Sequence, residues 1–303
     1  MLDVLIIGGG PAGLAASIYA GRAQLKGILV EKLSPGGQVL VTDFVENYPG
    51  FPDGLTGFEL IEKLSQHAQK FGFEIKSGQV EKIKKDEDSF LVSLLGNNEE
   101  LKSRTIIIAT GASHRKLGVP GEKELTGKGV SYCATCDGPF FRDQVVAVVG
   151  GGDSAVQEAI FLTKFVKKVY LIHRRDELRA VKILQERAFS NPKIEFIWDS
   201  VVEEIIGKDQ VESVKIKNKK TGDIDELKVK GVFIFIGITP NTSLVSDLVD
   251  LDNRGFIKTD EWMRTSLKGI YAAGDCRSKP LLQIVTAVAE GATAAYAIEH
   301  DLQ

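Results

Sequence analysis

The chain alternates short, wholly apolar runs with longer amphipathic ones. Residues 4–7 are a continuous apolar strand, and residues 14–22, beyond a glycine cluster, read as a small-residue helix. A second strand over 27–30 ends at Glu31. Short apolar runs bounded by turn signals mark strands buried on both faces, as in a parallel sheet. The Gly and Pro density of residues 34–52 predicts loops. Leu55, Phe58, Ile61, Leu64 and Ala68 recur at helical spacing and predict an amphipathic helix over 54–71. Alternation over 73–95 and 99–102 predicts an antiparallel meander that turns at Gly96-Asn97-Asn98. A buried strand over 105–108 follows and ends in Ala109-Thr110-Gly111.

The same succession then repeats. Residues 145–149 are an apolar strand, a glycine cluster and a helix to about residue 165 follow, and residues 169–172 form the next strand. Residues 191–228 alternate like a second meander, and an apolar strand over 231–237 ends in glycine. Beyond it come short strands near 256–258, a strand and turn over 269–276, and an alanine-rich helix over 285–300. This is an internal duplication, not a solenoid. The second unit interrupts the first between Gly111 and Gly237, so the first must close with the last segment. The expected fold is α/β, with two Rossmann-like, three-layer ββα dinucleotide-binding domains. One spans 1–112 and 242–303; the other, 113–241, is inserted in it.

Composition narrows the class. A chain of 303 residues, 43% hydrophobic and 26% charged, is long enough for two cores and ordinary for a soluble protein. A net charge of -3 gives no basic footprint for nucleic acid. The run from Lys215 to Lys220 reads as a solvated hairpin edge. No apolar stretch approaches the ~20 residues of a membrane helix, and the N-terminus enters a strand without a basic n-region. The expectation is a cytoplasmic protein that binds neither nucleic acid nor membrane. In that compartment a close Cys pair is more often catalytic than structural.

Three stretches carry chemistry. Gly8-Gly9-Gly10-Pro11-Ala12-Gly13 is G-x-G-x-x-G between a strand and a helix, with the acid Glu31 about twenty residues on. Such glycines let a pyrophosphate approach the helix N-terminus, where free amides and the dipole favour anions, and the acid accepts from a ribose. The second cluster, Gly150-Gly151-Gly152-Asp153-Ser154-Ala155, is G-x-G-x-x-A, but its second strand ends in His173-Arg174-Arg175, with Arg179 one turn on. A 2′-phosphate wants guanidinium groups where a 2′-hydroxyl wants a carboxylate, so this unit reads as an NADPH site. Between the two lies Cys133-Ala134-Thr135-Cys136-Asp137. That spacing lets two thiols close a small disulfide or share a metal. Zinc needs four placed ligands, and the remaining Cys276, His67, His114, His173 and His300 form no second pair. A redox dithiol is the reading, with half a zinc site as the alternative. Asp137 is either a proton-transfer group or a helix N-cap.

Together these residues resemble the low-molecular-weight thioredoxin reductases, within the flavoproteins that carry two dinucleotide folds, over the whole chain. The resemblance assigns FAD to Gly8, Gly10, Pro11, Ala12, Gly13, Glu31, Gly37, Gln38, Val80, Ala109, Thr110, Gly111, Gly274, Asp275, Gln283 and Ile284, and to Asn47 within Glu46-Asn47-Tyr48-Pro49-Gly50. It assigns NADPH to Gly150, Gly152, Asp153, Ser154, Ala155, His173, Arg174, Arg175 and Arg179. The implied activity passes electrons from NADPH through FAD to a Cys133–Cys136 disulfide and on to thioredoxin or a thioredoxin-like protein. Cys136 would lie beside the flavin, Cys133 would attack the partner, and Asp137 would move protons. The likeness also implies a homodimer, and a domain rotation hinged near 110–113 and 237–239. Phe140 and Phe141 are expected either to dock the partner or to pack in the core, and Cys276 to be a buried bystander. The chain departs from the family at Leu282-Gln283, where an Arg-Gln pair is usual. The alternative activity is a ferredoxin-driven or NADPH-driven reductase for a glutaredoxin-like or peroxide-reducing partner.

Overall fold

Four apolar side chains in a row, Val4 to Ile7, end with no more than 5% exposure, because their strand is flanked and covered on every side. The computed structural model describes all residues except Asp43, Phe44, Glu46, Asn97 and Asn98. Glu46 and the last two residues of the turn expected at 96–98 therefore lie outside the described residues. The chain divides into two units, Met1–Ser113 with Thr239–Gln303, and His114–Ile238.

The first unit begins with β1 (Leu2–Ile7), α1 (Pro11–Arg22) and β2 (Gly27–Glu31), followed after a short 3-10 turn by α2 (Gly57–Lys70). Thr56 starts α2 with a capping box: its Oγ1 accepts from the Glu59 amide (3.1 Å) and Glu59 Oε2 accepts from the Thr56 amide (2.8 Å). The helix so begins three residues later than its periodicity suggests. Leu60, Ile61 and Ala68 face inward, whereas Phe58, expected on the apolar face, is 64% exposed. Next come β3 (Glu74–Ser77), β4 (Val80–Asp86), β5 (Ser89–Leu94) and β6 (Glu100–Ile108).

The expected meander is only partly antiparallel. β3 pairs in parallel with β2 and extends the central sheet, while β4, β5 and the first half of β6 form the hairpins. β6 also absorbs the separate strand expected at 105–108. Its residues alternate in burial up to Arg104 and are continuously buried from Thr105 to Ile108. One strand thus begins half-solvated in the meander and ends inside the parallel sheet beside β1.

The second unit is reached through β7 (Ala112–His114). It contains β8 (Val130–Ser131), α3 (Ala134–Asp137), β9 (Val145–Gly150), α4 (Asp153–Leu162), β10 (Lys168–Ile172), α5 (Lys182–Phe189) and β11 (Ile194–Ile197). β12 (Ser200–Gly207), β13 (Val211–Asn218), β14 (Ile224–Lys228) and β15 (Gly231–Phe235) complete it. The parallel sheet runs β11-β10-β9-β15-β8, and β12-β13-β14 is a separate antiparallel sheet. Here too the first strand of the expected meander, β11, belongs to the parallel sheet. Helix α5 was not legible in advance, because Ile183 and Phe189 point outward and leave only Leu184 and Ala188 facing the core. β13 is the middle strand of its sheet, not an edge: Ile216 is buried within it, and only Lys219 and Lys220 reach the turn.

The chain returns through β16 (Ile238–Pro240), which pairs with β7 as a two-stranded ribbon. In place of the short strands expected at 256–258 there are single bridges, Leu251 with Ile257 and Ile257 with Arg277. β17 (Ile270–Ala272) joins the first unit's sheet in parallel beside β6, and α6 (Ile284–Leu302) closes the unit. Helices α1 and α6 meet through small residues. A Cβ on Gly291 would strike the carbonyl of Ala12. Gly291→Ala is expected to lower stability by about 1–3 kcal/mol through overpacking, measured as a fall in the urea midpoint at unchanged m-value.

Candidate redox and dinucleotide sites

In the first unit β1, β2, β6 and β17 run parallel. Whatever follows their carboxyl ends therefore emerges on one edge, where open α/β sheets bind ligands. That edge gathers Gly8 to Gly13, Glu31, Ala109 to Gly111, and Gly274 with Asp275. Gly8 has φ +109° and a Cβ there would strike the Ala109 carbonyl; a Cβ on Gly13 would strike the Gly8 carbonyl. The turn is compressed onto β6 and α1 and admits only glycine at these two points. Gly10 is the opposite case, with nothing within 4 Å of where its Cβ would be. α1 starts at Gly10 without a side-chain cap and has Pro11 and Ala12 in its first turn, so its first amides lack partners within the helix. Gly37 faces the same space, the nearest atom to a Cβ there being Gly10 Cα at 3.9 Å. Gln38 beside it donates to the Ala112 carbonyl (3.4 Å).

Glu31, expected to accept from a ribose, is held by the backbone around it. Its Oε2 accepts from the Gly9 amide (2.7 Å) and its Oε1 from the Leu33 amide (3.0 Å). A carboxylate has about four lone-pair sites, so acceptor capacity remains for a ribose, now in a fixed orientation. The Gly78 amide donates to the Glu31 carbonyl (2.9 Å), two residues before Val80 opens β4. Sequence reasoning missed Asn241. Its side chain donates to the Thr110 carbonyl (2.9 Å), its carbonyl accepts from Thr110 Oγ1 (2.6 Å), and its amide donates to the Gly111 carbonyl (3.0 Å).

Before α6, Gln283 is the cap. Its amide donates to Thr286 Oγ1 (3.3 Å), and its Oε1 accepts from Asn47 (3.1 Å), a residue that lines a cavity of about 300 Å³; Ile284 opens the helix. Asp275 is half-buried, with one carboxylate oxygen enclosed and the side chain 36% exposed overall, and desolvation pushes its carboxyl above the usual range against the pull of Lys279. Its Oδ1 is 3.0 Å from Lys279 Nζ, yet no aligned hydrogen bond reaches that buried oxygen among the described residues. The other carboxylate oxygen is the one open to a ligand hydroxyl. Two open glycines, an uncapped helix end and a half-exposed carboxylate fit a dinucleotide such as FAD. Cys276 is fully buried, its thiol donating to the Ile108 and Ala273 carbonyls (both 3.3 Å), and burial raises it to about 11.

The second unit repeats the arrangement. The Gly150 turn follows β9, His173 follows β10, and Cys133 follows β8, all at the carboxyl edge of one parallel sheet. Gly150 abuts Ala155 Cβ and the Phe235 carbonyl, and a Cβ on Gly151 would strike the His173 ring; Gly152 faces open space. α4 starts at Gly152 without a side-chain cap. The arginine loop is tied to this turn. The Arg179 amide donates to the Gly151 carbonyl (2.7 Å), and the Val181 amide to Asp153 Oδ1 (2.7 Å). Ser154 and the three arginines are exposed. His173 is buried, with no partner at Nε2 among the described residues. Burial first, then Arg179, hold it below its ordinary value, so it is neutral at neutral pH. The two nearby acids, Asp176 and Asp199, pair with Lys220 at 2.7 and 3.0 Å. The fit is to a nucleotide with an extra phosphate.

Cys133 and Cys136 are joined as a disulfide across α3, with Cα atoms 5.3 Å apart. Cys133 caps α3, and its Sγ accepts from the Cys136 amide (3.3 Å). Ser131 Oγ accepts from the Cys133 amide (3.0 Å). The preceding Tyr132 donates to the buried Glu122 (2.7 Å), which also accepts the Leu117 and Gly118 amides, a clamp that no sequence motif announced. Ala134 packs with Val156, Ala159 and Leu162, so the disulfide turn rests on α4 beside the glycine turn. Asp137 ends α3 and makes no side-chain cap bond to the 3-10 turn that follows. The two phenylalanines divide: Phe141 packs edge-on against Phe233 (5.3 Å), and Phe140 is 51% exposed.

A redox disulfide beside one dinucleotide edge, carried on a chain with a second such edge, defines a class. Residues 2–291 match the family of pyridine nucleotide-disulphide oxidoreductases, and the chain belongs to it. Within that class its relatives are thioredoxin reductases. It is 48% identical to the thioredoxin reductase of Peptoclostridium litorale, over 98% of this chain and 96% of the relative. Of solved structures, thioredoxin reductase from Streptococcus pyogenes is 52% identical with a TM-score of 0.95, covering 100% of this chain and 98% of that one. Lactococcus lactis thioredoxin reductase in its FR conformation is 47% identical with a TM-score of 0.68, covering 99% and 100%.

Proposed function

We propose that the chain is an NADPH-dependent, FAD-containing enzyme that reduces the disulfide of thioredoxin or a thioredoxin-like protein. The observation that carries this reading is the Cys133–Cys136 disulfide on the same sheet edge as a glycine turn flanked by three exposed arginines. FAD, when bound, supplies the two-electron relay between NADPH and that disulfide. Gly8, Gly10 to Gly13, Glu31, Gly37, Gln38, Asn47, Val80, Ala109 to Gly111, Gly274, Asp275, Gln283 and Ile284 hold it. Gly150, Gly152 to Ala155, His173, Arg174, Arg175 and Arg179 hold NADPH.

The chain's own residues then perform thiol–disulfide exchange. Reduction breaks the Cys133–Cys136 bond and leaves two sulfurs. As a thiolate, Cys133 attacks a sulfur of the partner's disulfide and expels the other. Cys136 then attacks the mixed disulfide, which restores the bond and releases a dithiol. The Cys136 amide donates to Cys133 Sγ and holds that sulfur at the start of α3. Asp137 exchanges protons with the departing sulfurs. Phe140 offers the partner an exposed apolar contact. The reading requires the units to alternate about the crossings near 110–113 and 237–239. It also takes the enzyme to be a cytoplasmic homodimer that binds neither nucleic acid nor membrane; among the described residues no helix is long and apolar enough to cross one.

An anaerobic titration followed by the visible flavin spectrum tests it. NADPH is expected to bleach the flavin and NADH to do so poorly, with thioredoxin-dependent turnover following. A flavin that NADPH leaves oxidised would overturn the reading.

A further inference from the structure

Beside Asp275 the structure builds a charge network that lies outside every motif read from the sequence. Lys279 has a side chain only 3% exposed, and its ammonium has three oxygen neighbours: Asp275 Oδ1 (3.0 Å), Glu290 Oε2 (3.2 Å) and Thr286 Oγ1 (3.5 Å). Glu290, on α6, also accepts from Arg277 Nη1 (2.8 Å) and from the amide of Gly274 (2.8 Å). Arg277 is anchored in turn by Thr259 Oγ1 (2.9 Å). Two carboxylates and two cations thus alternate between the β17 loop and the first turns of α6. Among the described residues, the charged groups that act on Asp275 are Lys279 from its own loop and Glu290 from α6; neighbouring Cys276 is a neutral thiol.

Without Lys279, Asp275 would stand half-buried with Glu290 as its charged neighbour, and like charges in a partly desolvated site favour a proton on one carboxyl. A protonated Asp275 turns one oxygen into a donor and loses acceptor capacity toward a ligand.

We infer that Lys279 is a positioning residue of the first dinucleotide site: it keeps Asp275 anionic and, through Glu290, locks that carboxylate to the start of α6, so that Asp275 accepts from hydroxyl groups of a bound FAD. The inference rests on the assignment of FAD to Asp275 in the proposed function. It also bears on the absent arginine at Leu282. In this chain the cations near the start of α6 come from the preceding loop, at positions 277 and 279, and act through Asp275 and Glu290.

The test is rebinding of FAD to flavin-stripped protein, followed by quenching of flavin fluorescence across a pH series. It compares the wild type with Lys279→Met, Lys279→Gln, Lys279→Arg and Asp275→Asn, with melting curves of each stripped protein. The wild type is expected to bind with an affinity level in pH around neutrality. Lys279→Met is expected to bind about ten- to a hundredfold more weakly there, the worth of one hydrogen bond to a charged group. Its affinity should recover as pH rises, because deprotonation of Asp275 then no longer needs the ammonium. Lys279→Gln keeps a donor without the charge and should behave as Lys279→Met does, whereas Lys279→Arg should restore the level profile. Equal affinity of wild type and Lys279→Met, or a loss by the same factor at every pH, overturns the inference. If Asp275→Asn alone releases FAD, the cofactor assignment stands and the role of Lys279 falls. A wild-type chain that takes up no FAD overturns both.

Discussion

With serine at both Cys133 and Cys136, the protein is expected to consume one NADPH per flavin in an anaerobic titration, against two for the wild type. Each NADPH delivers two electrons. A flavin accepts one pair and the Cys133–Cys136 disulfide the other, so removing the sulfurs removes one of two sinks. Thioredoxin-dependent turnover should fall by on the order of 10⁴ or more, the scale seen when an essential nucleophile is removed. The exchange needs sulfur twice: as a thiolate that attacks near neutral pH and as a leaving group. A serine hydroxyl is neither. Local structure should survive, because Cys133 caps α3 through its side chain and serine is among the best residues at that position. A double variant that still consumed two equivalents would place the second electron pair elsewhere and sink the disulfide mechanism.

The second large effect concerns nucleotide choice. Replacing Arg174, Arg175 and Arg179 together by alanine is expected to raise the KM for NADPH by about 10²-fold, the yield of one or two charge-assisted hydrogen bonds. The KM for NADH should stay near its starting value, since that nucleotide has no 2′-phosphate for the guanidinium groups to grip. The surroundings support this. All three side chains are exposed, Lys220 takes the carboxylates of Asp176 and Asp199, and His173 is held neutral by burial. Arginine is then a local source of positive charge facing solvent. The measurement is the ratio of kcat/KM for the two nucleotides, with the melting temperature as a control. A parallel loss with NADH would mean that the arginines shape the loop and do not select the nucleotide.

The glycine turns were legible because they obey local rules. A strand that must turn within three residues and admit a backbone carbonyl, as Gly8 and Gly13 do, has one residue type available. The cysteine spacing was equally legible, since a disulfide across one helical turn needs two sulfurs three positions apart. The misreadings share a different cause. β3 and β11 alternate like meander strands, yet each pairs in parallel with the sheet's outer strand. A half-buried edge strand has the same period-two pattern whichever way its neighbour runs. β6 was divided in two because its pattern changes where its neighbour changes from β5 to β17. Phe58 followed helical spacing but landed outside, and α5 turns only Leu184 and Ala188 inward while Ile183 and Phe189 face out.

By itself, then, the sequence determined the chemistry at each site: which residues can approach a phosphate, carry electrons as sulfur, or tell a 2′-phosphate from a hydroxyl. It also determined the twofold repetition of the nucleotide-binding plan. These follow from residue type and short spacing, and short-range constraints survive any packing. Only the tertiary structure decided which carboxylates are spent on the protein itself, as Glu31 is on the Gly9 and Leu33 amides. Only it revealed the supporting groups Asn241, Glu122, Lys279 and Glu290. Their partners lie far off in the chain or on another element, and burial sets the strength of those contacts. Neither distance in space nor burial is written in the spacing of residues along a chain.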